Sequence, residues 1–118
     1  MVRLIYLSMT TQAHLDATLL VLCGDHGMND AGNHGGSSPG ETSPALVFLS
    51  PKFKTLPGTR VPCPDEPKKG ELQYYDTVEQ SDIAPTLAAL LGFPIPRNNL
   101  GVLIPQLLSF WSGKWQLV

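Results

Sequence analysis

Short apolar runs and helical repeats of apolar residues alternate along the chain. Two continuous runs cover residues 19–23 and 45–49, and turn-forming residues follow each of them. Apolar runs of this length are typical of strands, and the first predicts a strand buried on both faces of a parallel sheet. Apolar residues with helical spacing at the start of the chain predict an amphipathic helix from residue 2 to about residue 11.

A second helix is predicted from residue 82 to about residue 91. Its apolar stripe is formed by Ile83, Leu87, Leu90 and Leu91. Either Ser81 or Asp82 is expected to cap this helix. Because Asp82 lies at the helix start, capping is a better explanation for it than a catalytic role. Pro85 falls in the first turn, where a missing N–H is tolerated. Gly92 is the expected stop.

The other residues are rich in proline, glycine and polar side chains. They predict turns at 37–44, a long exposed loop at 52–70, a short strand at 73–78 and a last amphipathic piece at 103–108. Trp111 and Trp115 are expected to belong to the same piece. They suit a membrane-interface helix, a core contact or an irregular chain end.

Length and charge limit the classes of protein that fit. With 118 residues the chain forms at most one domain, and a doubly wound α/β domain with a two-metal site usually needs more chain. A net charge of −2 without a block of Lys or Arg argues against a nucleic-acid partner. We expect neither a signal peptide nor a membrane-spanning helix, because no apolar run approaches the roughly 20 residues that a span needs.

The two cysteines do not predict a disulfide framework. Cys23 ends the first apolar run and is expected to be a buried thiol, whereas Cys63 lies in a proline-rich loop. A bridge between them is an alternative that an oxidising compartment would allow.

Candidate chemistry directly follows the first apolar run. Asp25, His26 and His34 lie in a loop rich in glycine, which allows the chain to fold back on itself. Ligands bind beyond the carboxyl ends of strands in open α/β sheets, and carboxylate oxygen and imidazole nitrogen are good zinc ligands. The three side chains suit one catalytic zinc with an open position, or two metals that share them. The alternative is structural: a capping carboxylate, a histidine bonded to a carbonyl, and glycines that only make a turn.

The loop sequence GDHGMNDAGNHGGSS closely resembles the metal-binding loop of the glycosylphosphatidylinositol (GPI) ethanolamine phosphate transferases. These enzymes belong to the alkaline phosphatase superfamily, as do sulfatases and nucleotide pyrophosphatases. The later stretch DIAPTLAALLGFPIPRNNLG is typical of the wider superfamily, and the resemblance runs from about residue 5 to about residue 108. It implies a partial alkaline-phosphatase-like α/β sandwich, with a mostly parallel sheet flanked by helices and its N-terminal part missing. Residues 1–108 would be the C-terminal portion of the catalytic domain, and residues 109–118 a tail.

The resemblance also implies a ligand set of two divalent metal ions, expected to be Zn²⁺. Asp25 and His26 match the Asp-His pair that holds one zinc, and His34 matches the later histidine of the second. The family's nucleophilic Thr or Ser, its early Asp and its middle Asp/His motif have no counterpart in this sequence. No catalytic residue is therefore assigned, substrate-binding residues are not identified, and the chain alone is expected to be inactive.

The function implied by the resemblance is transfer of phosphoethanolamine from phosphatidylethanolamine to a mannose, expected to be the second, of the GPI-anchor precursor. Such an enzyme is embedded in the endoplasmic reticulum membrane with its catalytic domain in the lumen. Two alternatives are a phosphodiesterase or sulfatase of the same superfamily and a non-catalytic remnant. The wording GNHGGSSPGETSP favours the transferase, whereas the missing nucleophile favours a remnant for the chain by itself.

Overall fold

The chain divides into two compact units, Met1–Thr55 and Leu56–Val118. The computed structural model describes residues 1–55 of the first unit and residues 77–110 of the second. Each unit has its own small set of buried residues. Among the described residues, Met9 is a buried apolar residue of the first unit, and Pro85, Ile104 and Leu107 are buried apolar residues of the second.

The first unit begins with helix α1, Val2–Thr11, which confirms the helix predicted from the apolar spacing. Met9 lies on its covered face and is 2% exposed. A one-turn 3-10 helix, Ala13–Leu15, follows and leads the chain into the first strand. Lys54, in a second 3-10 helix after the sheet, lies with its ammonium 5.9 Å from the centre of the Tyr6 ring, a cation–π contact with α1.

The two predicted strands are present as β1, Leu20–Cys23, and β2, Leu46–Leu49. They pair antiparallel, with Leu20 opposite Leu49 and Cys23 opposite Leu46. One further backbone hydrogen bond, from Gly24 N–H to the Ala45 carbonyl at 3.1 Å, closes the ladder at the site end of β1. The loop that carries the candidate ligands therefore begins and ends on two bonded strands.

The environment predicted for β1 is wrong in two respects. Among the described residues β1 has one antiparallel neighbour, and its side chains are only partly covered, with Leu22 46% exposed. An antiparallel pair can leave one face to solvent, which is why an apolar run alone did not indicate the degree of burial. Cys23 is an exposed thiol rather than a buried one. Its proposed partner Cys63 lies outside the described residues, and the larger alkaline-phosphatase-like sandwich stays a prediction.

The second unit is built on helix α3, Ile83–Leu91, which confirms the predicted helix. A 3-10 turn, Gln80–Asp82, leads into it. Pro85 lies in the first turn, where a missing N–H is tolerated, as expected, and its side chain is buried. Gly92 ends the helix in the left-handed conformation with φ of 73°, and its N–H returns to the carbonyls of the last turn.

Asp82 does not cap α3 with its side chain, so the predicted role is corrected. Its buried carboxylate accepts hydrogen bonds from Glu79 N–H at 3.1 Å and Val102 N–H at 2.8 Å. Thr86 acts similarly one turn later, since its fully buried hydroxyl accepts Ile104 N–H at 2.9 Å. Both side chains hold the segment after α3 against the start of that helix, and the role of Asp82 is structural.

The remaining predictions have mixed outcomes. The turn region contains a short helix, α2, Pro39–Thr42. Most of the predicted loop, residues 73–76 of the predicted strand and both tryptophans lie outside the described residues. The last amphipathic piece is a 3-10 helix, Pro105–Phe110. No helix in the described ranges is long and apolar enough to cross a membrane.

Candidate metal site

Asp25 and His26 lie just beyond the carboxyl end of β1. The backbone turns sharply here, because Gly27 N–H donates to the Glu41 carbonyl at 2.8 Å. A side chain at Gly27 would overlap the carbonyl oxygen of Gly40. Glycine is therefore required at this position by the close approach of two backbone segments.

His26 is the centre of the candidate site. Its ring stacks on that of His34, with centroids 4.7 Å apart and planes at 13°. Its Nε2 atom lies 3.9 Å from Oδ2 of Asp25. The structure thus brings each of the other two predicted ligands next to His26. Among the described residues, no three His, Cys, Asp or Glu side chains form a ready metal-binding group, so the metal assignment stays a prediction.

The tautomer of His26 follows from its hydrogen bond. Nδ1 lies 2.8 Å from the Gly27 carbonyl oxygen, which can only accept, so Nδ1 carries the hydrogen. Nε2 is the ring nitrogen on the side that faces Asp25. A histidine whose other nitrogen donates to a backbone carbonyl is the usual arrangement for a metal-binding imidazole. The rest of the site is open to solvent, with the Asp25 side chain 90% exposed.

His34 returns to His26 through a tight turn. Asn29 organises this turn by accepting Ala31 N–H at 3.1 Å and Asn33 N–H at 2.9 Å on its side-chain oxygen. Gly32 follows with φ of 84°, a conformation in which L side chains are strained. The expected use of loop glycine to fold the chain back is confirmed at this residue.

Glu41, which sequence reasoning missed, lies at the centre of the loop. It is a charged residue with only 9% of its surface exposed. Its carboxylate accepts hydrogen bonds from Gly36 N–H and Ser38 N–H, each at 3.3 Å, and from the Ser38 hydroxyl. Ser38 and Glu41 also form the capping box of α2. The spacing Ser-Pro-Gly-Glu was the signal that could have revealed it.

The Ser38 hydroxyl holds the pKa of Glu41 below its ordinary value of 4.5, because the hydrogen bond favours the charged carboxylate. The two backbone N–H groups act in the same direction, and desolvation opposes them. A carboxyl whose pKa is lower in the folded loop stabilises that loop while it is ionised. This contribution is complete above the unfolded pKa and is lost as pH falls through the folded one.

We expect the Glu41 carboxyl to titrate below 4.5 in the wild-type chain, and closer to that value in Ser38→Ala. The serine supplies the largest favourable contact, so removing it should shift the pKa upwards. Carboxyl-carbon NMR titration measures both values. Thr42→Val is the control, because its hydroxyl donates to the Ser38 carbonyl and not to Glu41. Identical titration of wild type and Ser38→Ala would contradict the assignment.

Comparison with known proteins gives several fungal relatives. The chain is 63% identical over 114 residues to GPI ethanolamine phosphate transferase 2 of Aspergillus fumigatus, a match that covers 95% of the chain and 14% of that protein. It is 62% identical over 111 residues to the Aspergillus oryzae protein of the same name, covering 94% and 13%. The Saccharomyces cerevisiae protein of that name is 50% identical over 105 residues, covering 84% and 12%.

The chain thus spans about one seventh of the length of these two Aspergillus relatives. No protein-family model matches it, and no solved structure does. The matched residues cover 95% and 94% of the chain, so the similarity includes residues of both described units.

Proposed function

We propose, from the premise that this chain belongs by sequence to the GPI ethanolamine phosphate transferase 2 family, that it forms part of the catalytic domain of a phosphoethanolamine transferase. The observation that carries the proposal is the stacked pair of His26 and His34 beside Asp25. Two imidazoles and a carboxylate that lie side by side on a solvent-exposed loop are a donor set that suits metal ions.

The donor set fits divalent metal ions, and zinc in particular. Carboxylate oxygen and imidazole nitrogen are both ligands that zinc takes, and Nδ1 of His26 lies 2.8 Å from a backbone carbonyl oxygen, which leaves Nε2 as the nitrogen that a metal would take. By family resemblance Asp25 and His26 would hold one ion and His34 would help to hold the other. Bound there, the ions would lower the pKa of a coordinated hydroxyl and offset negative charge on the reacting phosphate.

The residues of this chain have defined tasks in that reaction. The Gly27 carbonyl fixes the ring orientation of His26, and Asp25 adds negative charge beside Nε2. The exposed side of the loop leaves room for a phosphate diester to approach. For the whole protein we propose transfer of phosphoethanolamine from phosphatidylethanolamine to a mannose of the GPI precursor, with the second mannose as acceptor. The endoplasmic reticulum membrane, with the catalytic domain in the lumen, is the proposed location.

The nucleophile of the reaction has no match among the residues of this sequence. Ser37 and Thr42 are hydroxyl residues near the site, but both lie on the loop that would face the nucleophile. Thr42 already donates to the Ser38 carbonyl at 3.1 Å. We therefore propose that this chain supplies metal ligands, that the nucleophile comes from another segment of the protein, and that the chain is inactive alone.

A chimera tests the proposal. The matching segment of the Aspergillus fumigatus transferase 2 is replaced by this chain, with which it shares 63% identity over 114 residues. Cells that lack transferase 2 then express the chimera or the isolated chain. We expect the chimera to restore the phosphoethanolamine on the GPI precursor, measured by mass spectrometry of the glycolipid, and the isolated chain to restore none.

A chimera that accumulates in the membrane but adds no phosphoethanolamine to the GPI precursor would contradict the proposal. Rescue by the isolated chain would instead show that the nucleophile lies within these residues. The unmodified Aspergillus protein is the positive control for expression and for the assay.

A further inference from the structure

Glu41 contacts both histidine-bearing segments of the loop, through different atoms. Its main-chain carbonyl accepts Gly27 N–H at 2.8 Å, directly after His26. Its carboxylate accepts Gly36 N–H at 3.3 Å, two residues after His34. The residue is thus hydrogen-bonded to the chain on either side of the stacked pair.

From these contacts we infer that Glu41 is a positioning residue that sets the distance and the stacking of His26 and His34. This inference rests on the proposed function for its purpose, since the paired imidazoles are the proposed metal ligands. The contacts themselves are independent of it. Glu41 acts through the backbone of the two segments.

A simple capping role would not require all of these contacts. In a capping box the glutamate reaches back to the N-cap residue, here Ser38, and its bonds stay within the first turn of the helix. Glu41 in addition reaches Gly36, outside α2. A Cβ at Gly36 would lie 2.7 Å from a carboxylate oxygen of Glu41, so the backbone and the carboxylate are in close contact there.

The backbone of α2 also lies directly against the segment after His26. A Cβ at Gly40 would be 2.8 Å from the Met28 carbonyl oxygen, and a side chain at Gly27 would overlap Gly40. The short helix is therefore a fixed support on which the His26 side of the loop rests. The buried carboxylate of Glu41 attaches the His34 side to the same support.

Replacing Glu41 tests the inference on the 118-residue chain. We expect Glu41→Ala to remove the nuclear Overhauser effects (NOEs) between the rings of His26 and His34, which wild type should show at a centroid distance of 4.7 Å. Zn²⁺ alone, measured by competition with a chelating dye, should bind about tenfold more weakly, as when supporting groups around a metal site are removed. Thr42→Val is the matched control and should change neither the ring NOE intensity nor the zinc affinity by more than about twofold, as for most surface substitutions.

A second variant, Glu41→Gln, distinguishes a loss of positioning from unfolding of the Glu41→Ala chain. Glu41→Gln keeps the length of the side chain but offers one acceptor oxygen instead of two. It should keep the cross-strand NOEs between Val21 and Phe48, weaken those between the histidine rings, and reduce zinc affinity by a smaller factor. Those cross-strand signals report the fold in every variant.

The ring NOEs and the zinc affinity test the positioning role and the metal function separately. Ring NOEs and zinc affinity that are unchanged in Glu41→Ala, or in Glu41→Gln if the alanine variant loses its strands, would overturn the positioning role. Absence of ring NOEs in wild type would overturn it as well. Loss of ring NOEs on Glu41 replacement in a chain that never binds zinc would support the positioning role and count against the proposed metal function.

Discussion

We expect His26→Ala and His34→Ala each to abolish phosphoethanolamine transfer by the chimeric transferase, lowering its rate by about 10³-fold or more. Each substitution removes one nitrogen donor from the stacked pair, and groups that act as a unit lose most of their effect when one of them is removed. Asp25→Ala should have the same result, because its carboxylate is the donor beside Nε2 of His26. Glycolipid mass spectrometry and zinc content of the purified chimera measure both losses.

His14→Ala is the matched control for these substitutions. His14 is an exposed histidine on the 3-10 helix before β1, outside the candidate loop. Its replacement should leave transfer and zinc content unchanged. Full transfer in His34→Ala, with the chimera accumulating normally, would exclude His34 from the site and would leave the stacked pair without a function.

Gly27→Ala should be the most damaging single-methyl change in the loop. The added Cβ would overlap the Gly40 carbonyl oxygen, which is backbone and cannot rotate away. Separating the two segments breaks the bond from residue 27 N–H to the Glu41 carbonyl. We expect the free energy of unfolding of the loop to fall by about 3 kcal/mol, which is the upper part of the range for overpacked sites. That cost corresponds to about a 100-fold loss of amide-exchange protection at residue 27.

Gly32→Ala gives the comparison for Gly27→Ala. Nothing lies within 4 Å of a Cβ at Gly32, but its φ of 84° makes a side chain strained. The expected cost is about 1–2 kcal/mol and remains local to the turn before His34. Exchange protection at residue 27 should therefore be nearly unchanged in this variant. Equal losses at residue 27 in both variants would contradict the close-packing explanation.

Sequence patterns identified the regular elements well, because local spacing and local geometry are directly related. The period of apolar residues gave α1 and α3 at almost their observed bounds, and Gly92 marked the end of α3. Two short apolar runs gave β1 and β2. These features depend on residues a few positions apart, whose relation is fixed by helix and strand geometry.

The same patterns did not predict which residues that are distant in the sequence come into contact. The antiparallel register of β1 and β2, and the exposure of Cys23, depend on which segment comes to lie beside β1. Likewise Asp82 had the position of a cap, but its carboxylate bonds Val102, which is 20 residues away in the chain. A side chain with several acceptor sites takes the partners that the fold brings to it.

For the candidate site, too, the sequence identified residue types and the structure identified their arrangement. The sequence by itself nominated Asp25, His26 and His34 as candidate ligands, because carboxylate oxygen and imidazole nitrogen suit a metal and the family motif matches at these positions. Only the tertiary structure decided that His26 lies next to each of the other two, that its Nδ1 is within hydrogen-bond distance of the Gly27 carbonyl, and that the buried carboxylate of Glu41 accepts Gly36 N–H. The physical reason is that a residue's type fixes its donors and acceptors, whereas their distances and tautomers depend on how the backbone folds around them.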